Sequence, residues 1–180
     1  MKKFLLLAAC LICPAALEAQ APTPIADPEA DFRRTYDMTG VEKIYKMTAD
    51  INGDGINEIA LAPSEPEMDE LPWFIYIGRG DGQYILASEI TELGLNPNSL
   101  PGFDKDPLWL GTIPEIGRHG LLTLSCGNGG HALCQLHAIV IEGEGYKDIP
   151  VGPALNAEQH YEQMLLRFPE PRPAVEELAP

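Results

Sequence analysis

The sequence predicts a β-rich α+β domain, with one antiparallel sheet of about six strands built from meanders and hairpins, and one C-terminal helix. Three observations carry this. Short apolar or alternating runs recur at residues 41–48, 58–63, 73–77, 83–90, 120–124 and 137–149. Turn-forming residues punctuate them: Asn52-Gly53, Asp54-Gly55, Asp81-Gly82 and Gly143-Glu144-Gly145. Only residues 156–168 carry apolar side chains at clear helical spacing. An all-β, propeller-blade-like fragment is the alternative architecture.

The chain opens with an export signal over residues 1–19. Lys2 and Lys3 form a basic start, Phe4 to Leu17 is mostly apolar, and Ala19 is a small residue suited to cleavage. The apolar run is too short for the ~20 residues that cross a bilayer, so no transmembrane segment is expected. Leu7-Ala8-Ala9-Cys10 also fits a lipobox. A lipid anchor at Cys10 is disfavoured because few apolar residues precede it. Residues 20–38 read as a linker containing Pro22, Pro24 and Pro28, with one helical turn or none at 29–36. Residues 39–170 form a single domain, and 171–180 a disordered tail rich in proline and glutamate.

Within the domain, residues 41–48 alternate and read as a strand, with Val41, Lys43, Tyr45 and Met47 on one face and Glu42, Ile44 and Lys46 on the other. Residues 50–58 then bring oxygen donors at every second position, ahead of a second, apolar strand. Residues 64–71 are an acidic, solvated loop. Residues 73–77 and 83–90 form a hairpin around Gly78-Arg79-Gly80-Asp81-Gly82. Its Arg79-Gly80-Asp81 tripeptide matches an adhesive motif but reads as ordinary turn chemistry. Residues 96–114 are irregular and proline-rich. Residues 120–124 and a closing hairpin over 137–149 complete the sheet. Asn156 caps the helix, Ala157, Tyr161, Met164, Leu165 and Phe168 form its apolar face, and Pro169 ends it.

The chemistry concentrates at Asp50-Ile51-Asn52-Gly53-Asp54-Gly55-Ile56-Asn57-Glu58. Calcium takes six to eight oxygens at about 2.3–2.6 Å, and a loop supplies them from alternate positions with a glycine at the sharp turn. Asp50, Asn52, Asp54, the Ile56 carbonyl and Glu58 occupy those positions, with Gly55 at the sixth. Leu61 stands where an EF-hand needs its twelfth-position glutamate, so this is not an EF-hand. Ca2+ is therefore the expected cofactor. The plainer alternative is an empty Asn-Gly/Asp-Gly turn.

On Asp50, Asn52, Asp54, Gly55 and Glu58 the loop resembles the Asp-x-Asn-x-Asp-Gly-x-x-Asp/Glu loops of FG-GAP and VCBS repeat proteins. In those proteins the loop joins two strands and holds calcium, so the resemblance implies a strand–loop–strand arrangement. Those repeats come in series, and one copy is found here. With Cys126-Gly127-Asn128-Gly129-Gly130 added, the chain also loosely resembles a group of small exported bacterial proteins, from which no activity carries over.

Cys126 and Cys134 are the only cysteines left after cleavage at Ala19, and an even pair in an oxidising compartment suggests a disulfide. A zinc site from Cys126, His131, Cys134 and His137 fits no common spacing, and Cys134 and His137 point to opposite faces of an extended strand. A cysteine nucleophile with a histidine base lacks a visible orienting group. Arg118-His119-Gly120 begins like a histidine phosphatase motif but continues with Leu121 and Leu122, so that reading is dismissed.

The formal charge is −15, and removing residues 1–19 leaves 10 basic and 26 acidic residues. Such an excess argues against nucleic acid or an anionic membrane surface as partner. The expected function is an exported, periplasmic or secreted, non-catalytic binding or structural module, acting on an unidentified protein or glycan partner of the envelope. The alternative is an envelope hydrolase or enzyme inhibitor with a site near Trp109 and His119.

Overall fold

The structure, a computed structural model, describes residues 22–65, 72–90, 109–126, 133–156, 159, 162–163 and 174–180. The export signal and Cys10, most of the acidic loop, residues 91–108, the glycine run with His131, and the apolar face of the C-terminal helix lie outside the described residues.

The first element is a helix, α1 (Pro28–Thr35), in the stretch read as a linker. Composition hid it, because Phe32 is its one large apolar residue. Local signals supply the rest. The Asp27 carboxylate caps it by accepting the Ala30 N–H at 3.0 Å, and proline fills its first turn. Glu29 and Asp31 lie near its N-terminus and Arg33 and Arg34 near its C-terminus, as the helix dipole favours.

Among the described residues, nine strands follow in two antiparallel sheets. The first sheet holds β1 (Lys43–Ala49), β2 (Glu58–Ser64), β3 (Trp73–Gly78), β4 (Tyr84–Ile90) and β9 (Val175–Leu178), ordered β4-β3-β2-β1-β9. The second holds β5 (Trp109–Ile113), β6 (Arg118–Cys126), β7 (Cys134–Glu142) and β8 (Gly145–Leu155), in chain order. The β-rich antiparallel class stands, but the single sheet of about six strands does not. β2 and β3 are buried on both faces, which one half-solvated sheet cannot provide.

Two strands were not anticipated. β5 lies in the segment read as irregular, where Pro107 and Pro114 flank only five paired residues. β9 lies in the expected disordered tail and is ordered by pairing with β1 from Ile44↔Leu178 to Met47↔Val175. The expected cap of the C-terminal helix is present. The Gln159 N–H donates to Asn156 Oδ1 at 2.8 Å, and Gln159, Glu162 and Gln163 are helical.

The sheets pack face to face. Met47, Ala60, Trp73, Ile75 and Ile85 of the first meet Leu121, Ile139 and Ile141 of the second in one core. The outer face of the first sheet buries Ile44, Leu61 and Tyr76 under Phe32 of α1. The alternation read in residues 41–48 holds within β1, where Met47 points between the sheets and Ile44 toward the helix; Val41, ahead of the strand, packs with Ile44 and not on the Met47 face expected of it. The outer face of the second sheet carries Trp109, Ile113, Leu122, Leu136 and Val151. β1–β4 and β5–β8 each run as a four-strand meander, the connectivity of a propeller blade, and the two described sheets stack without forming a ring.

Candidate functional site

The β1–β2 connection is the oxygen-rich loop, so the strand–loop–strand placement read from residues 50–58 is present. The register closes from Lys43↔Ser64 to Ala49↔Glu58, which sets Asp50 at one root of the loop and Glu58 at the other. Gly53 and Gly55 take φ of 78° and 86°, a region that strains any residue with a Cβ.

Side-chain oxygens fold the loop. Asp50 Oδ1 accepts the N–H groups of Gly53 at 2.8 Å and Asp54 at 3.0 Å, and its Oδ2 accepts that of Gly55 at 2.9 Å. Asn52 Oδ1 accepts the Asp54 N–H at 2.8 Å, and Asp54 Oδ1 accepts that of Ile56 at 2.7 Å. The Asn52 amide nitrogen stands between two carboxylates, 2.9 Å from Asp54 Oδ2 and 3.4 Å from Glu58 Oε1. Asn52, Asp54 and Glu58 thus converge, with the positive end of an amide dipole between the acids. Among the described residues, no group of three or more His, Cys, Asp or Glu side chains is placed to hold a metal ion.

Glu58 differs from the rest. It is fully buried, whereas Asp54 is exposed. Its Oε2 accepts the Ile51 N–H at 2.7 Å. Burial, reinforced by the charges of Asp54 and Asp50, pushes its carboxyl up to about 7 against the opposing amide hydrogen bonds from Ile51 and Asn52. Among the described residues, no basic side chain pairs with it. Asp50, Asn52, Asp54, Glu58 and the Ile56 carbonyl are the kinds of oxygen donor a hard divalent cation takes, and here the Asp50, Asn52 and Asp54 side chains are turned onto the loop's own N–H groups.

The loop is braced from two sides by residues not anticipated from sequence. Gly78 of β3 lies beneath it, where an added Cβ would fall 2.5 Å from the Asn57 carbonyl oxygen and 2.8 Å from Ile56 Cγ2. His119 of β6 lies against Gly53, where an added Cβ would stand 3.0 Å from the imidazole Cγ. Sequence signals the first only as one more glycine in Gly78-Arg79-Gly80, and the second only as a member of the alternative site near Trp109.

Comparison with family models, with curated proteins and with solved structures returns no match. Function therefore has to be read from the site itself.

The remaining candidates separate in space. Arg79, Gly80 and Asp81 are exposed at the β3–β4 turn, where the Asp81 carboxylate accepts the Gln83 N–H at 3.0 Å, the turn role expected of it. Trp109 is 1% exposed and packs in the core cluster on the outer face of the second sheet. Cys126 and Cys134 are directly opposite across β6 and β7. Cys134 packs with Leu136 and Ala138 on the outer face, while His137, one position on from Leu136, presents Nδ1 to Asp148 at 2.7 Å. Asp148 of β8 is an orienting partner that spacing did not reveal. It orients a histidine that the alternation of the strand separates from Cys134.

Proposed function

We propose that the chain is an exported, non-catalytic binding or structural module whose β1–β2 loop is stabilised by a calcium ion. Asp50, Asn52, Asp54, the Ile56 carbonyl and Glu58 are the ligands. The single observation that carries this reading is Glu58, a buried carboxylate at the ninth loop position, near two further acids and, among the described residues, without a basic partner. An empty turn has no use for such a group, because an uncompensated buried charge is destabilising. Calcium offsets that charge and holds together the two strands the loop joins.

The same reading includes a Cys126–Cys134 disulfide. Directly opposite residues of antiparallel strands have Cα atoms about 4.5–5.5 Å apart, within the range a disulfide spans. The partner is a protein or glycan of the envelope, and the acidic surface excludes nucleic acid.

The test is thermal unfolding in 10 mM calcium against chelator. Extracellular calcium modules bind at ~10⁻⁴–10⁻³ M, which corresponds to a gain of roughly 3–10 °C for a chain of this size. Asp50→Ala and Asp54→Ala abolish the gain. An equal gain in both variants, or none in the natural chain, overturns the reading.

A further inference from the structure

The C-terminal strand is held differently from the others. β9 has four residues and pairs only with the outer edge of β1. Val175 packs against the core between the sheets and Leu178 against the core under α1, yet both stay partly exposed, and Glu176 and Glu177 are exposed. Polar contacts complete the seat. Lys43 Nζ lies 3.0 Å from Glu177 Oε2, and the Arg33 guanidinium donates to the Ala179 carbonyl at 2.7 Å. Lys43 and Arg33 reach the acidic strand directly, while Glu29 faces Arg33 and Lys46 beside this edge.

We infer that the outer edge of β1 is a strand-acceptor slot, filled by β9 of the same chain in the monomer and by β9 of a second copy in an exchanged dimer. Three features carry this. Releasing β9 exposes no fully buried side chain of its own and breaks one short ladder. The contacts made by a second copy's β9 are the same ones, so only the effective concentration set by the connecting chain favours the monomer. That connection is long enough, since the eleven residues from 164 to 174 reach up to ~36 Å when extended. A domain of this size has a radius of gyration of about 15 Å. An edge left open would pair indiscriminately. Here it is matched in sequence and charge to the segment that covers it, which is why the occupant is a second copy and not an unrelated strand. The inference does not depend on calcium.

The test uses full-length variants. Positions 46 and 176 are directly opposite in the ladder. A chain carrying both Lys46→Cys and Glu176→Cys closes a bridge within itself under mild oxidation. Copies carrying Lys46→Cys alone are then mixed with copies carrying Glu176→Cys alone, so any 46–176 bridge joins two chains. Peptide mass mapping reads that bridge. The expected result is a bridged peptide whose yield per chain rises about tenfold for a tenfold rise in concentration while dimer is the minor species. A Glu144→Cys control, at an exposed turn, gives none with Lys46→Cys. Absence of any bridge between chains while the double variant closes overturns the inference. Failure of the double variant to close overturns it as well.

Discussion

The two sheets run the same four-strand meander and differ at their first turn. In the first, β1 and β2 are joined by eight residues that carry two aspartates and two asparagines and end against a buried glutamate. In the second, β5 and β6 are joined by residues 114–117, a tight turn in which the Ile116 and Gly117 N–H groups bond back to the Ile113 carbonyl at 3.2 and 2.8 Å. Backbone hydrogen bonds close the second turn. The first needs side-chain oxygens to close it and still leaves Glu58 uncompensated. A meander has no structural need for the longer version, so the difference marks where the fold carries something besides packing.

Four outcomes break or sharpen that contrast. The largest falls on the brace under the first loop. Gly78→Ala drives a Cβ into the Asn57 carbonyl and Ile56, so the loop or β3 must shift. The expected loss is about 3 kcal/mol by urea unfolding, together with a smaller calcium response. Retained stability would mean that the loop does not rest on β3.

The second falls on the other sheet, where the proposed Cys126–Cys134 disulfide would stand in place of the proposed ion. Replacing Cys126 and Cys134 by serine is expected to cost about 2.5 kcal/mol, from a closed loop of nine residues. Two free thiols in the non-reduced natural chain would remove this half of the contrast.

The third concerns Glu58. Its folded-state value near 7 lies above the ordinary 4.5, so between those values the folded chain holds a proton that the unfolded chain has lost. In chelator, stability is therefore full below about pH 4.5 and falls as pH rises through about 7, by on the order of 2 kcal/mol. Glu58→Gln flattens this slope, and calcium offsets it in the natural chain by favouring the carboxylate. Melting temperatures from pH 4 to pH 8, with and without calcium, read all three. A slope unchanged by Glu58→Gln would assign the titration to another group.

The smallest is the control in the second meander. Gly117 has φ of 63° and open space around its missing Cβ, so Gly117→Ala meets only backbone strain, about 1 kcal/mol. The calcium response stays intact. A response lost here would tie the plain turn to the ion loop.

The loop was legible because its signal is local. Asp50, Asn52, Asp54, Gly55 and Glu58 sit within nine residues, and alternation, glycine placement and the flanking strands can all be read along the chain. The hairpins β3–β4 and β7–β8 and the Asn156 cap were legible for the same reason: turn chemistry and capping act over two to four residues. The helix α1 and the strand β9 were not. Each is held by a few contacts from distant elements, Phe32 under β1 and β2 in one case and the edge of β1 in the other, and neither has a composition that would order it alone.

By itself, then, the sequence determined the β-rich class, the order of most strands and the placement of an oxygen-rich loop between two of them, because these follow from side-chain period and backbone preference at short range. Only tertiary structure decided that the strands divide into two stacked sheets, that Glu58 is buried while Asp54 is not, and that Gly78 and His119 brace the loop. Burial is a property of what arrives from elsewhere in the chain. An acid becomes uncompensated only when packing takes its water away without bringing it a cation.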